Sequence, residues 1–179
     1  MAAATGLTID DFELLPDDLA HNHELVDGEL VDVSGNNPQH NLLRDLLARL
    51  LGMYAEERQF GLVITEQEYN FGGNAHGPDV TFVSASKRPL LNMKLRVQRF
   101  VPDLAIEIVS TNDTLEKLVQ KAQRYRQCGT QEVWIFSVET RQIFLYSERR
   151  RAILDENDEF RPETIPGFAI RIGDLLDRY

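Results

Sequence analysis

The chain has a single cysteine, Cys128, in 179 residues, which excludes an internal disulfide. No apolar run approaches the ~18 residues that a membrane-spanning helix needs. Met1 to Leu14 carries neither the basic start nor the apolar middle of a signal peptide. A soluble, cytoplasmic protein is expected. There is no glycine-rich phosphate loop and no Cys/His cluster, which argues against nucleotide hydrolysis by such a loop and against a structural zinc. No repeat or low-complexity tract is visible.

Charge is short in two places. Residues 1–43 have nine acidic residues and no Lys or Arg. Between Asp79 and Asp103 there is no acid, while Lys87, Arg88, Lys94, Arg96 and Arg99 fall in that gap. The net charge of −10 therefore does not forbid a nucleic-acid partner, because a local basic patch can bind phosphate. That gap reads either as such a patch or as an ordinary solvated loop.

What is present fits one domain of 42% hydrophobic composition. Residues 1–19 read as an acidic lead-in, helical from about residue 8, and residues 20–179 as a single domain. Asp27-Gly28 separates two alternating segments of a hairpin from His23 to Val33. Pro38 opens a helix with Asn37 as its N-cap. Its apolar face runs through Leu42, Leu43, Leu46, Leu47, Leu50, Leu51 and Tyr54. Leu62 to Phe71, Asp79 to Ser84 and Leu104 to Ser110 read as strands, the last a central one. A helix follows from Thr114 to Gln127, closed by Gly129. Val133–Val138 and Gln142–Tyr146 form a final strand pair. Interleaved strands and helices predict an α/β fold around one mixed sheet.

The chemistry lies in Gly77-Pro78-Asp79-Val80-Thr81-Phe82-Val83 and in Pro102-Asp103-Leu104-Ala105-Ile106-Glu107-Ile108-Val109-Ser110. Side chains alternate along a strand, so Leu104, Ile106 and Ile108 share one face and Asp103, Ala105, Glu107 and Val109 the other. A carboxylate among apolar neighbours on a central strand is costly to bury unpaired. A divalent cation shared with Asp79 would offset that cost, and so would a salt bridge. On the next helix Leu118, Val119, Ala122, Tyr125 and Cys128 fall in one arc, and Lys121 interrupts it. A lysine there either snorkels to the rim or meets a buried carboxylate. Cys128 has no evident His partner and reads as a helix-end thiol rather than a nucleophile.

These motifs resemble the PD-(D/E)XK nuclease superfamily, named for a Pro-Asp followed later by Asp or Glu, one residue and Lys. Val109 stands where that lysine is usual. The departure resembles the Uma2 family (DUF820) of restriction-endonuclease-like proteins. That family has a Pro-Asp strand, then Pro-Asp-(apolar)-Glu-(apolar)₂-Ser, then a helix with Lys, Tyr four later and Gly four after that. Here these are Pro78-Asp79, Pro102-Asp103 through Ser110, and Lys121, Tyr125 and Gly129. The hairpin from His23 to Val31, His40, the strand Glu132–Phe136, and Ile165-Pro166-Gly167-Phe168 with Leu175-Leu176 look like further family elements, so the resemblance covers roughly residues 20–179.

The resemblance implies a restriction-endonuclease-like core, a mixed sheet flanked by helices, with Mg²⁺ or Mn²⁺ held by Asp79 and Glu107. Lys121 would replace the missing strand lysine. Glu24 or Glu29 would add the superfamily's N-terminal glutamate, with His40 and Tyr125 in support. Nucleic acid, DNA first, is the implied partner; separately, a homodimer whose interface uses the C-terminal segment is compatible with either activity. A nuclease fold that has lost catalysis and serves as a binding module is the competing reading, separated by metal-dependent cleavage or its absence.

Overall fold

The computed structural model describes residues 6–110 and 113–178; the first five residues of the acidic lead-in and Tyr179 lie outside them. Two short helices, α1 (Ile9–Glu13) and α2 (Asp17–Ala20), precede the hairpin β1 (His23–Val26) and β2 (Glu29–Asp32). Asp27 and Gly28 both have positive φ, 51° and 86°, as a two-residue turn matched to the twist of its strands requires. A Cβ at Gly28 would meet the Gly6 Cα at 2.8 Å, so this position has no room for a side chain.

Helix α3 (Pro38–Glu57) begins as the sequence predicts: Pro38 is in its first turn and the Asn37 side chain accepts from the His40 amide at 2.9 Å. Leu43, Leu47 and Leu51, four apart, are fully buried, and each contributes roughly 1.5–3 kcal/mol of apolar transfer. Leu42 departs from the predicted face. It lies one residue, about 100°, away from that row and is 54% exposed.

Strand β3 (Gly61–Thr65) follows, then β4 (Tyr69–Asn70), β5 (Ala75–His76), β6 (Val80–Ser84) and β7 (Leu104–Ile108). The single strand expected from Leu62 to Phe71 is thus two. Glu66 adopts φ 54°, a left-handed turn that carries the chain out of the plane of β3, so that β4 joins a different sheet. Helix α4 (Leu115–Gln127) is capped by Thr114, and Gly129 at φ 106° turns the chain away after it. Then come β8 (Glu132–Ser137), β9 (Gln142–Ser147), β10 (Arg151–Leu154), β11 (Glu159–Phe160), β12 (Ile170–Arg171) and α5 (Ile172–Leu176).

The main sheet has the order β10-β9-β8-β7-β6-β3, parallel only between β7 and β8. One face packs on α3 and the C-terminal segment through Leu104, Ile106, Ile108, Trp134 and Phe136. The other packs under α4 through Ala105, Val133, Ile135, Leu118, Ala122 and Tyr125. The alternation read in β7 is therefore observed, with apolar contacts on both faces, as a central strand requires. A four-stranded sheet, β2-β1-β5-β4, sits with α1 and α2 around a third cluster containing Phe12, Leu25 and Val97. No helix among the described residues is long and apolar enough to cross a membrane.

Candidate active site

Strands β6 and β7 pair antiparallel with Val80 opposite Ile106. The same register sets Asp79 opposite Glu107, and directly opposed residues point to one face. Asp79 precedes the strand at Pro78, where the missing proline N–H removes one ladder donor. Its Oδ2 accepts from the Ile108 amide at 2.7 Å, and its Oδ1 lies 3.1 Å from His40 Nε2. His40 reaches it from the first turn of α3. Burial works against a charged imidazole there, yet the Asp79 carboxylate outweighs it and raises the His40 pKa.

Glu107 is 5% exposed. The Tyr125 hydroxyl donates to its Oε1 at 2.6 Å, and Lys121 Nζ is 3.8 Å from the same atom. Both residues come from α4, four apart and therefore on one side of the helix. Burial, aided by the charges of Asp79 and Glu24 and opposed by Lys121, pushes Glu107 up to about 8.

The hairpin supplies a third carboxylate. Glu24 is 5% exposed and Glu29, on the other arm, is exposed, which settles which of the two points inward. Glu24 Oε1 accepts from Lys121 Nζ at 2.9 Å and Oε2 lies 2.9 Å from His76 Nδ1. Burial raises the Glu24 pKa, but Lys121 and His76 together bring it down to about 2. Lys121 is thus held between two carboxylates, and their charge overrides burial to raise its pKa. Of the two, Glu24 is the nearer and the one that stays ionised. The snorkelling alternative does not hold, because the ammonium is turned inward.

His76 is a component that the sequence reading missed. Burial keeps its pKa low, so the ring is neutral and its Nδ1–H donates to the ionised Glu24, leaving Nε2 buried without a hydrogen-bond partner among the described residues. Its only signal in the sequence was its place three residues before Asp79. Glu68, also missed, lines the same cleft, and burial pushes it up to about 7. These groups open on a cleft of ≈ 1220 Å³ lined by Glu24, His40, Asp79, Glu107, Lys117 and Lys121 among others. Among the described residues no three His, Cys, Asp or Glu side chains form a ready metal cluster.

The basic residues between Asp79 and Asp103 are not brought together as a free patch. Lys87 pairs with Asp103 at 3.0 Å, Arg96 with Asp17 at 2.6 Å and Arg99 with Asp10 at 2.7 Å. Arg88 and Lys94 are exposed. The missing acids of this segment are supplied by the acidic lead-in and by Asp103, so most of the segment's charge is neutralised within the chain. Arg96 lies at the edge of the cleft.

Comparison with solved structures finds a crystal structure described as "a putative nuclease belonging to DUF820" from Anabaena variabilis ATCC 29413. It matches with a TM-score of 0.84 at 19% identity, over 95% of this chain and 97% of that one. A cryo-EM structure of a DrdV–DNA complex has a TM-score of 0.42 at 19% identity, over 74% of this chain and 11% of that one, a likeness too slight to bear on the fold. The sequence matches none of the curated proteins. The family model described as Uma2, "Putative restriction endonuclease", matches residues 9–173. That match spans most of the chain, and the chain belongs to the Uma2 family.

Proposed function

We propose that the chain is a metal-dependent endonuclease that hydrolyses phosphodiester bonds, with DNA as its substrate. The observation that carries this reading is the placement of Asp79, just before β6, opposite Glu107 of β7 when their register is continued, with Lys121 beside Glu107. Glu107 is a buried carboxylate whose ionised form is opposed by burial and by two neighbouring carboxylates. A divalent cation would relieve both. Mg²⁺ and its like take oxygen ligands and usually only one or two protein carboxylates, completing the shell with water and phosphate. Two opposed carboxylates at the wall of a roomy cleft fit that requirement, and a three-residue cluster is not needed. Membership of a family described as restriction endonucleases supports DNA.

Asp79 and Glu107 would hold Mg²⁺ or Mn²⁺, which when bound supplies a Lewis acid at the phosphoryl oxygen and a more acidic water. The chain's own groups do the rest. Lys121, with Nζ fixed by Glu24, presents a permanent positive charge where negative charge develops on phosphorus oxygens. Tyr125 holds Glu107 through Oε1, and His40 holds Asp79 through Oδ1, orienting both as outer partners of ligands do. His76 fixes Glu24 and through it Lys121, so it is a positioning residue. A homodimer would set two such clefts against the two strands of a duplex.

The test is cleavage of plasmid DNA by purified protein with Mg²⁺ or Mn²⁺ against EDTA, alongside Asp79→Asn and Glu107→Gln. Cleavage that needs the metal and both carboxylates is expected. Folded wild-type protein that binds Mg²⁺ and leaves DNA and RNA uncut would favour the binding-module reading. Cleavage surviving both substitutions would mean the site lies elsewhere.

A further inference from the structure

Helix α4 has two flanks, and only one belongs to the cleft. Lys117, Lys121 and Arg124 line the cleft. On the other flank Gln123, Arg126 and Gln127 face the β9–β10 turn across a groove of ≈ 550 Å³ that also takes in Tyr146 and Arg149 to Arg151. Arg149, Arg150 and Arg151 are exposed. Several arginines elsewhere are engaged by the chain's own acids: Arg96 by Asp17, Arg99 by Asp10, Arg124 by Asp27, Arg141 by Glu156 and Asp177. Among the described residues no carboxylate pairs with these three, although Glu148 is in the same turn. In a chain of net charge −10, three adjacent uncommitted arginines are a local reversal of sign.

The register fixes where they stand. Glu107, Ile135, Phe144 and Ile153 are successive cross-strand partners, so they form one row on the α4 side of the sheet. Arg151, opposite Tyr146, shares that face two residues from Ile153. Three strand spacings of ~4.8 Å place β10 about 14 Å from Glu107 across the sheet. The turn is tied by its own hydrogen bonds: the Ser147 amide donates to the Arg150 carbonyl at 2.8 Å, and the Arg150 amide donates to Ser147 Oγ at 3.0 Å. The outer ridge of α4 joins the two flanks: Gln120 borders the cleft, Gln123 and Gln127 border the groove, and all three are exposed.

We propose that duplex DNA straddles α4: one strand enters the cleft, the helix ridge seats in the major groove, and the Arg149–Arg151 turn grips the backbone on the far side. An α-helix with its side chains is ~10–12 Å across, and the major groove of B-DNA is ~12 Å wide. A-form RNA has a deep, narrow major groove that side chains cannot read, so the geometry selects B-form DNA. Gln120, Gln123 and Gln127 would then face base edges, where an amide can pair with adenine. The identity of the cleft rests on the nuclease reading; the grip itself needs no cleavage.

The experiment is anisotropy of a labelled blunt DNA duplex in EDTA over a series of KCl concentrations. It compares wild type, R149Q/R150Q/R151Q, R149K/R150K/R151K and R88Q/K94Q. Removing one cation from a phosphate flattens the slope of log K against log salt by ~0.9, so the Gln triple should flatten it by about 2–3, the Lys triple should keep it, and R88Q/K94Q should match wild type. A wild-type slope for the Gln triple, a flattening that follows R88Q/K94Q instead, or no duplex binding by wild type overturns the proposal. So does an equal flattening on an RNA duplex, which would make the turn a generic backbone contact. Duplex binding with the expected slopes but no cleavage with any metal leaves the grip standing and removes the nuclease reading. Cleavage with unchanged slopes does the reverse.

Discussion

Replacing Glu107 by Gln should stabilise the metal-free protein while destroying its site. The folded protein keeps this carboxyl protonated up to about 8, whereas an unfolded chain releases the proton at the ordinary 4.5. The stability this group confers is complete below 4.5 and is lost as pH rises through about 8. At pH 7 the loss, at ~1.4 kcal/mol per pH unit, is about 3 kcal/mol. The attraction of Lys121 is already included in that value, because it is among the causes that set the raised pKa. Gln keeps an oxygen for the Tyr125 hydroxyl and leaves Lys121 its closer partner, Glu24 at 2.9 Å. For a chain of this size ~2–4 °C accompanies each kcal/mol, so Glu107→Gln should melt about 6–12 °C above wild type at pH 7 in EDTA. The gap should shrink to a few degrees near pH 5 and level off above pH 8. Thermal melts by circular dichroism across that range check it. A Gln variant no more stable than wild type at pH 7, or a gap that does not change with pH, would refute the reasoning. Added Mg²⁺ should stabilise wild type through binding and leave the variant unmoved.

Three further outcomes follow from the same cluster. Lys121→Met keeps the stem's packing and removes the charge, and should lower the cleavage rate by ~10²–10³ in single-turnover assays. Glu24→Gln should cost stability at pH 7, because Glu24 is held at about 2 rather than 4.5; at ~1.4 kcal/mol per pH unit the cost is about 3 kcal/mol. In urea melts that deficit should shrink as pH falls below 4.5 toward 2. Tyr125→Phe removes a hydrogen bond that favours the ionised Glu107, so the acid limb of the pH–rate profile should move to higher pH.

The helix starts and the hairpin were legible because local chemistry decides them: Asn37 with Pro38, Thr114, and the positive-φ pair Asp27-Gly28. The β7 strand was legible because alternation and burial agree along it. The split of β3 from β4 was not, since Glu66 takes a left-handed conformation with no glycine to mark it. Asp79, Glu107, Lys121 and Tyr125 stood out by type and spacing; the first three line one cleft, and Tyr125 is buried behind Glu107, to which its hydroxyl donates. Glu24 could not be chosen over Glu29, because a hairpin's inward face depends on what the second sheet packs against. His76 was invisible for a related reason: its partner Glu24 is 52 residues away and meets it only through the pairing of β1 with β5. Charge runs were the least legible. Lys87, Arg96 and Arg99 read in the sequence either as part of a patch or as a solvated loop, and their partners Asp103, Asp17 and Asp10 come from other segments.

The most direct test of the metal site is a crystal of the wild-type protein soaked in Mn²⁺ and measured at the manganese edge. An anomalous peak is expected between the Asp79 and Glu107 carboxylates, within about 2.1 Å of an oxygen of at least one and bridged to the other directly or by water, with no peak there in Glu107→Gln. A fully occupied ion elsewhere, with Glu107 still closed on Tyr125 and Lys121 and nothing between it and Asp79, would contradict it.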